Sequence, residues 1–193
     1  MRLIIVDGLD GVGKDTHAYL IKKRYEAKGE RVLIRSHPES DTFFGRQTKK
    51  ALLGIGKIAK LKASIFYALD VLSSIRKYYH SENYDTLIMV RYLVGTAYLP
   101  FSLARIACNV FEKFVPISDY MLFLDASPTE LERRVTQRTE KEIFETYESL
   151  VAVRKKALAL VSNWHIIDTT ASIPQTFARI EQILEKLDTE VSR

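Results

Sequence analysis

"RLIIVDGLDGVGKDT", residues 2–16, decides how this 193-residue chain is read. Residues 2–7 form a short apolar run, the pattern of a strand buried on both faces. Gly8, Gly11 and Gly13 follow, then Lys14, then a helical pattern over 14–28 that closes at Gly29. Strand, glycine-rich turn and helix start, in that order, make a phosphate-binding loop. Its glycines allow close backbone approach to a phosphate. Successive N–H groups point inward, and the helix N-terminus adds positive potential. Lys14 reaches the β- and γ-phosphates of a purine triphosphate. The nucleotide-binding set is therefore read as Gly8, Asp10, Gly11, Val12, Gly13, Lys14, Asp15 and Thr16. The usual motif has Ser or Thr directly after the lysine, where the hydroxyl meets magnesium. Here Asp15 stands there and the hydroxyl comes one residue late, at Thr16.

Outward from the loop, further apolar segments lie at 31–35, 86–90, 120–125 and 165–168, with helical patterns between them. Pro128 opens one helix. Another runs over 174–187, with Phe177, Ile180, Ile183, Leu184 and Leu187 on one face and Pro174 at its first turn. Strands alternating with helices imply an α/β chain built on a parallel sheet covered by helices on both sides. The length suggests one domain, 1–193, and no repeat or linker interrupts it.

Composition narrows the chemistry. Hydrophobic residues make up 47 % and charged residues 27 %, enough for a packed core, and the net charge of +5 suits an anionic ligand. Cys108 is the one cysteine, which excludes an internal disulfide or a cysteine-ligated zinc. His17, His37, His80 and His165 have no metal-ligand spacing. The start is too short and too soon interrupted for a signal peptide, and no apolar run reaches the ~20 residues of a membrane span. The chain reads as a soluble, cytoplasmic protein. No guanine-reading segment is present, since "TKKA" at 48–51 fails at its last position. A small kinase fits the length best.

The whole chain resembles the thymidylate kinase family of nucleoside monophosphate kinases. The phosphate loop resembles the family's Gly-x-Asp-Gly-x-Gly-Lys-Ser-Thr, and "RSHPESDTFFGRQTKKALL" (35–53) resembles its acceptor segment. "SIFYALD" (64–70) is similar to Phe-x-Ala-Asp/Asn-Arg. "TLIMVRYLVGTAYLP" (86–100) resembles the third strand with Asp-Arg-Tyr and Ala-Tyr-Gln. "LFLDASPTELERRVTQR" (122–138) and "NWHIIDTT" (163–170) resemble the fourth strand with its helix and the fifth strand. The resemblance implies a P-loop three-layer sandwich: a five-stranded parallel sheet, order 2-3-1-4-5, flanked by helices, with a short lid at about 138–144. It implies ATP and Mg²⁺ as cofactors, dTMP as acceptor and a homodimer through helices near 64–80 and 97–113. It places Asp10 on the acceptor sugar's 3′-hydroxyl, Arg91 on the acceptor phosphate, with Tyr92 beside it, and Phe66 and Tyr98 along the base and sugar. His37 stands in the acceptor loop, where its ring can stack on a base. Lys14, Arg91 and Arg138 form the catalytic set, Arg138 lying by ATP at the lid hinge.

Besides Asp15, three positions and the lid depart from the family pattern. Val90 replaces the Asp of Asp-Arg-Tyr, Asp70 replaces an Arg, Leu99 replaces a Gln, and the lid lacks its Gly- and Arg-rich stretch. Arg133, Arg134, Arg138 and Lys141 are the cations near it. Asp15 and Val90 form an exchange, one carboxylate gained and one lost beside the metal. On this reading Asp15 and Thr16 hold Mg²⁺, Asp15 directly or through a water. Alternatively Asp15 only caps the helix, and Thr16 holds the metal. The lysine-rich stretch 49–66 reads as a solvated helix face, and no nucleic-acid module accompanies it. Two other functions stay open: a phosphotransferase with another nucleotide or nucleoside as acceptor, and a nucleotide-binding protein without catalysis.

Overall fold

The computed structural model describes residues 1–54, 56–93, 115–136 and 147–191. Its strands are β1 (Arg2–Gly8), β2 (Val32–Ser36), β3 (Thr86–Val90), β4 (Met121–Asp125) and β5 (His165–Asp168). They form one sheet in the order β2-β3-β1-β4-β5, every neighbouring pair parallel. The helices are α1 (Lys14–Glu26), α2 (Phe43–Leu52), α3 (Lys57–Tyr78), α4 (Pro128–Thr136), α5 (Tyr147–Leu160) and α6 (Ile173–Val191). The expected three-layer architecture and strand order are those observed.

Each sheet face has its own core. Ile4, Val6, Ile88, Val90, Leu122 and Leu124 pack with Ala18 and Ile21 of α1, Ala157 of α5, and Ile180 and Leu184 of α6. On the other face Leu3, Ile5, Leu87, Met89 and Met121 meet Val71 and Ile75 of α3. Alternate side chains of β1 thus feed opposite layers, which is why its sequence is continuously apolar.

The outer strands differ from the central ones. β3 and β4 are buried throughout, whereas Ile166 of the edge strand β5 is 50 % exposed. An edge strand has one open side, so its apolar run does not imply burial on both faces. Helix ends follow their capping chemistry. Ser172 and Gln175 bond across the start of α6, with Pro174 in its first turn. α1 ends at Glu26, and the chain leaves through Gly29 at φ +85°. The parallel order brings the carboxyl ends of β1, β2 and β3 together, where ligands bind in open α/β sheets.

Candidate active site

β1 delivers the chain into the loop at Gly8, φ +147°, where an added Cβ would stand 2.2 Å from the Leu124 carbonyl oxygen. Only glycine fits between β1 and β4 at that point. Gly11 and Gly13 also hold positive φ, +92° and +84°. Gly13 is the N-cap of α1, and no side chain caps that helix. Its first N–H groups are therefore left to a ligand. Val12 is buried in the core, so the loop offers its backbone and not its side chain.

Lys14 Nζ donates to the carbonyl oxygens of Gly8 (2.9 Å) and Leu9 (2.6 Å) and lies 3.3 Å from Asp10 Oδ1. Burial lowers its pKa below the ordinary lysine value, and the Asp10 charge opposes that shift. The ammonium sits under the loop, buried, with three protein oxygens around it.

The facing wall is Arg91, the residue after β3, at φ +59°. That conformation costs a side-chain-bearing residue about 1–2 kcal/mol, and such strain gathers at functional sites. Neighbouring bonds hold it. The Arg91 N–H donates to Val6 O (3.2 Å), and the Tyr67 hydroxyl donates to Arg91 O. Asp7 is the anchor beneath both walls. Its Oδ1 accepts from Gly8 N (2.9 Å), and its Oδ2 accepts from Tyr92 N and Leu93 N (2.8 Å each). One buried carboxylate thus ties the phosphate loop to the segment after β3.

Arg91 Nη1 lies 3.2 Å from Asp15 Oδ2 and donates to Ser36 Oγ at 3.0 Å, while Nη2 is 3.9 Å from Asp10. Ser36 Oγ donates to Asp15 Oδ1 at 2.6 Å. Burial works against the Arg91 charge, but Asp15 and Asp10 outweigh it and raise its pKa. Burial would likewise raise Asp15, yet the Arg91 charge and the Ser36 hydroxyl hold it below the usual carboxylate range. The site brings two cations and two carboxylates into one cleft. The oxygen donors of Asp15 and exposed Thr16 are of the hard type that Mg²⁺ takes, commonly as one or two carboxylates plus phosphates.

The family model described as thymidylate kinase matches residues 6–180. The chain belongs to the thymidylate kinase family. A probable thymidylate kinase of Methanococcus maripaludis is 26 % identical over 200 residues, covering 96 % of each chain. The thymidylate kinase of Akkermansia muciniphila is 26 % identical over 192 residues, covering 95 % of this chain and 91 % of its own. The solved thymidylate kinase of Candida albicans superposes with a TM-score of 0.72 at 16 % identity, over 97 % of this chain and 92 % of the other. That last likeness concerns the fold.

Against this family background, two expected acceptor residues sit elsewhere. His37 is wholly buried, its Nε2 sharing a 2.9 Å hydrogen bond with Ser74 Oγ. Its ring therefore has no face to stack on a base. Tyr92 is also wholly buried, packed in the core beside α3 with its hydroxyl donating to Pro116 O at 3.0 Å. Only its backbone serves the site, through Asp7. Phe66 is half-buried on α3. Tyr98, Leu99, Arg138 and the lid at about 138–144 lie outside the described residues, as does 97–113 of the expected dimer surface.

The departures have structural partners. Val90 is buried among Val6, Ile88 and Leu122. Asp70 accepts from Glu39 N (2.8 Å) and from the Thr42 hydroxyl, and Thr42 Oγ1 in turn accepts from Gly45 N at the start of α2. Asp70 of α3 thus ties down the loop between β2 and α2. Asp15 lies in the first turn of α1, where a negative charge favours the helix N-terminus, while the N-cap Gly13 makes no side-chain cap bond. Sequence reasoning gave no role to Asp7, Ser36 or Tyr67. The one available signal was an acid directly before the first loop glycine. On the loop's other flank, Arg134 donates to Gly11 O (3.3 Å) and Thr169 O (2.7 Å), placing a guanidinium beside the phosphate cradle.

Proposed function

We propose that this protein is an ATP- and Mg²⁺-dependent nucleoside monophosphate kinase that transfers the γ-phosphoryl group of ATP to dTMP, giving ADP and dTDP. The carrying observation is Arg91, strained at φ +59° and 3.2 Å from Asp15 of the phosphate loop. An acceptor clamp and a polyphosphate cradle then border a single cleft.

The loop N–H groups after Gly8, up to Gly13, bind and orient the donor phosphates, and Lys14 neutralises charge on the transferring group. Arg91 presents a planar fork to the acceptor phosphate. Asp10 accepts the sugar 3′-hydroxyl, and Phe66 and Tyr98 line the acceptor base and sugar. Arg138 is assigned to ATP. Asp15 and Thr16 hold Mg²⁺, which when bound neutralises phosphate charge. The attacking dTMP phosphate oxygen is already ionised at neutral pH, so alignment replaces a general base. The new P–O bond forms as the bond to the ADP oxygen breaks.

A coupled ADP-release assay over dTMP, dUMP, dCMP, AMP, GMP and thymidine tests this reading. The expected result is fastest turnover with dTMP, and an Arg91→Lys variant whose KM for dTMP rises about tenfold or more. Turnover with thymidine alone, or with none of the panel, overturns it.

The proposal includes a homodimer. Ile58, Leu61, Ile65 and Leu69 make an apolar stripe along α3 and are 73, 53, 51 and 37 % exposed. Burying such a stripe against a second copy is favourable. Sedimentation should give twice the monomer mass, and Leu61→Glu should return it to monomer. A monomeric wild type ends this part of the proposal.

A further inference from the structure

Asp15 faces more than one partner. It lies in the first turn of α1, directly after Lys14, and its side chain is 59 % exposed. Both of its oxygens are engaged across the cleft, Oδ1 by the Ser36 hydroxyl at 2.6 Å and Oδ2 by Arg91 Nη1 at 3.2 Å. The same Nη1 donates to Ser36 Oγ at 3.0 Å. The guanidinium proposed to clamp the acceptor phosphate therefore already carries an anion of this chain. Asp10 stands 3.9 Å from its other terminal nitrogen.

A dianionic phosphate and a carboxylate cannot share one edge of a guanidinium without strong like-charge repulsion. For Arg91 to present Nη1 to the phosphate, Asp15 must leave. The released carboxylate stays at the mouth of the loop, next to Lys14 and Thr16. There a divalent cation bound with the donor phosphates is its natural partner. The usual hydroxyl at this loop position carries no charge and would make no ion pair with Arg91.

We infer that Asp15 is a shared carboxylate, paired with Arg91 until the acceptor phosphate displaces it toward the metal, so that acceptor and metal–nucleotide binding are coupled through this one side chain. The inference rests on the kinase reading above, because it takes Arg91 as the acceptor-phosphate clamp. Asp15 acts on the acceptor through Arg91 and is in that respect a positioning residue.

Isothermal titration calorimetry on the full chain tests it, with wild type, Asp15→Ser and Asp15→Asn. dTMP is titrated alone, with saturating Mg·ADP, and with ADP plus EDTA. The wild type should bind dTMP about fivefold or more tighter with Mg·ADP than alone, and lose that gain in EDTA. Linkage requires dTMP to tighten Mg·ADP by the same factor. Both variants should bind dTMP alone about fivefold tighter than the wild type, with a coupling factor near one. The Asn variant keeps the shape and loses the charge, so it separates charge from packing.

Variants that bind dTMP no tighter, or more weakly, overturn the inference, as does coupling that persists without the carboxylate. If another monophosphate replaces dTMP and shows this pattern, the thymidylate reading falls and the inference stands. Binding of thymidine with no monophosphate at all overturns both.

Discussion

The two ends of the sheet carry similar polar chemistry in opposite states. At the amino ends of the strands, Arg2 donates to both Glu30 oxygens (2.7 and 2.6 Å) and to Thr86 Oγ1 (2.9 Å). Its guanidinium also lies 4.3 Å from the centre of the Tyr25 ring. Asp188 accepts from the hydroxyls of Tyr25 (2.9 Å) and Tyr120 (3.1 Å) and from Lys28 (3.0 Å). Burial and the Asp188 hydrogen bond push the Tyr25 phenol far above its usual range. That cluster is closed, pinning α1 and α6 to the start of β1. At the carboxyl ends, Asp15 is mostly exposed and Arg91 sits at strained φ, with one neighbour at 3.9 Å. Closed networks hold a fold, and looser ones can pass their charges to a ligand.

The largest effect that can break this comparison is at Lys14. Lys14→Met should lower kcat about 10³-fold, as loss of a preorganised charge-stabilising group does. It should cost little thermal stability, because the burial that disfavours the ammonium in the folded chain offsets the hydrogen bonds it makes. A variant that melts several degrees lower would move Lys14 into the closed class. Asp188→Asn is the mirror experiment. Urea unfolding should show a loss of about 2–3 kcal/mol, since Arg2 and Lys28 would lose a partly buried counter-charge. The kcat/KM for dTMP should stay at the wild-type value, and a large fall would show that the two ends are not separable.

This division explains which parts were legible in the sequence. The phosphate loop was, because strand, glycine spacing and lysine are all local. The central strands were, because burial on both faces leaves a continuous apolar run. Lys14, Asp10, Asp15 and Arg91 do converge on one cleft, as the motif order implied. Tyr92 and His37 read as cleft residues, and the structure buries both. Adjacency to Arg91 says nothing about direction, since successive residues after a strand point to different sides. Asp7 and Ser36 were missed because their partners are tens of residues away, Asp7 bonding Tyr92 N and Ser36 reaching Asp15. Such pairings depend on parallel register, which no local pattern encodes.

His37 sharpens the comparison, since it follows β2 at the carboxyl end yet is as closed as the opposite cluster. Burial pushes its imidazole from 6.5 down to about 4, against the pull of the Asp70 charge. With the folded value depressed, the unfolded chain takes up the proton first as pH falls. The stabilisation is complete above pH 6.5 and is lost between 6.5 and about 4. Unfolding free energy should drop by about 2 kcal/mol from pH 7 to pH 5, and His37→Asn should flatten that slope. An unchanged slope in the variant would assign the loss to other groups.

The smallest expected effect is at Tyr67, where the two kinds of network touch. Its hydroxyl donates to the carbonyl of Arg91, the residue held at φ +59°. Tyr67→Phe keeps the ring and deletes one hydrogen bond, for about 1 kcal/mol of stability. Arg91 keeps its bonds to Val6, Ser36 and Asp15 but loses the pin on its backbone. The KM for dTMP should therefore rise several-fold while the KM for ATP stays constant, because Lys14 is held by the carbonyls of Gly8 and Leu9 and makes no bond to Tyr67. Equal rises in both constants would mean that the clamp and the cradle move as one body. The division would then lie between the whole cleft and the amino-end cluster, and not inside the cleft.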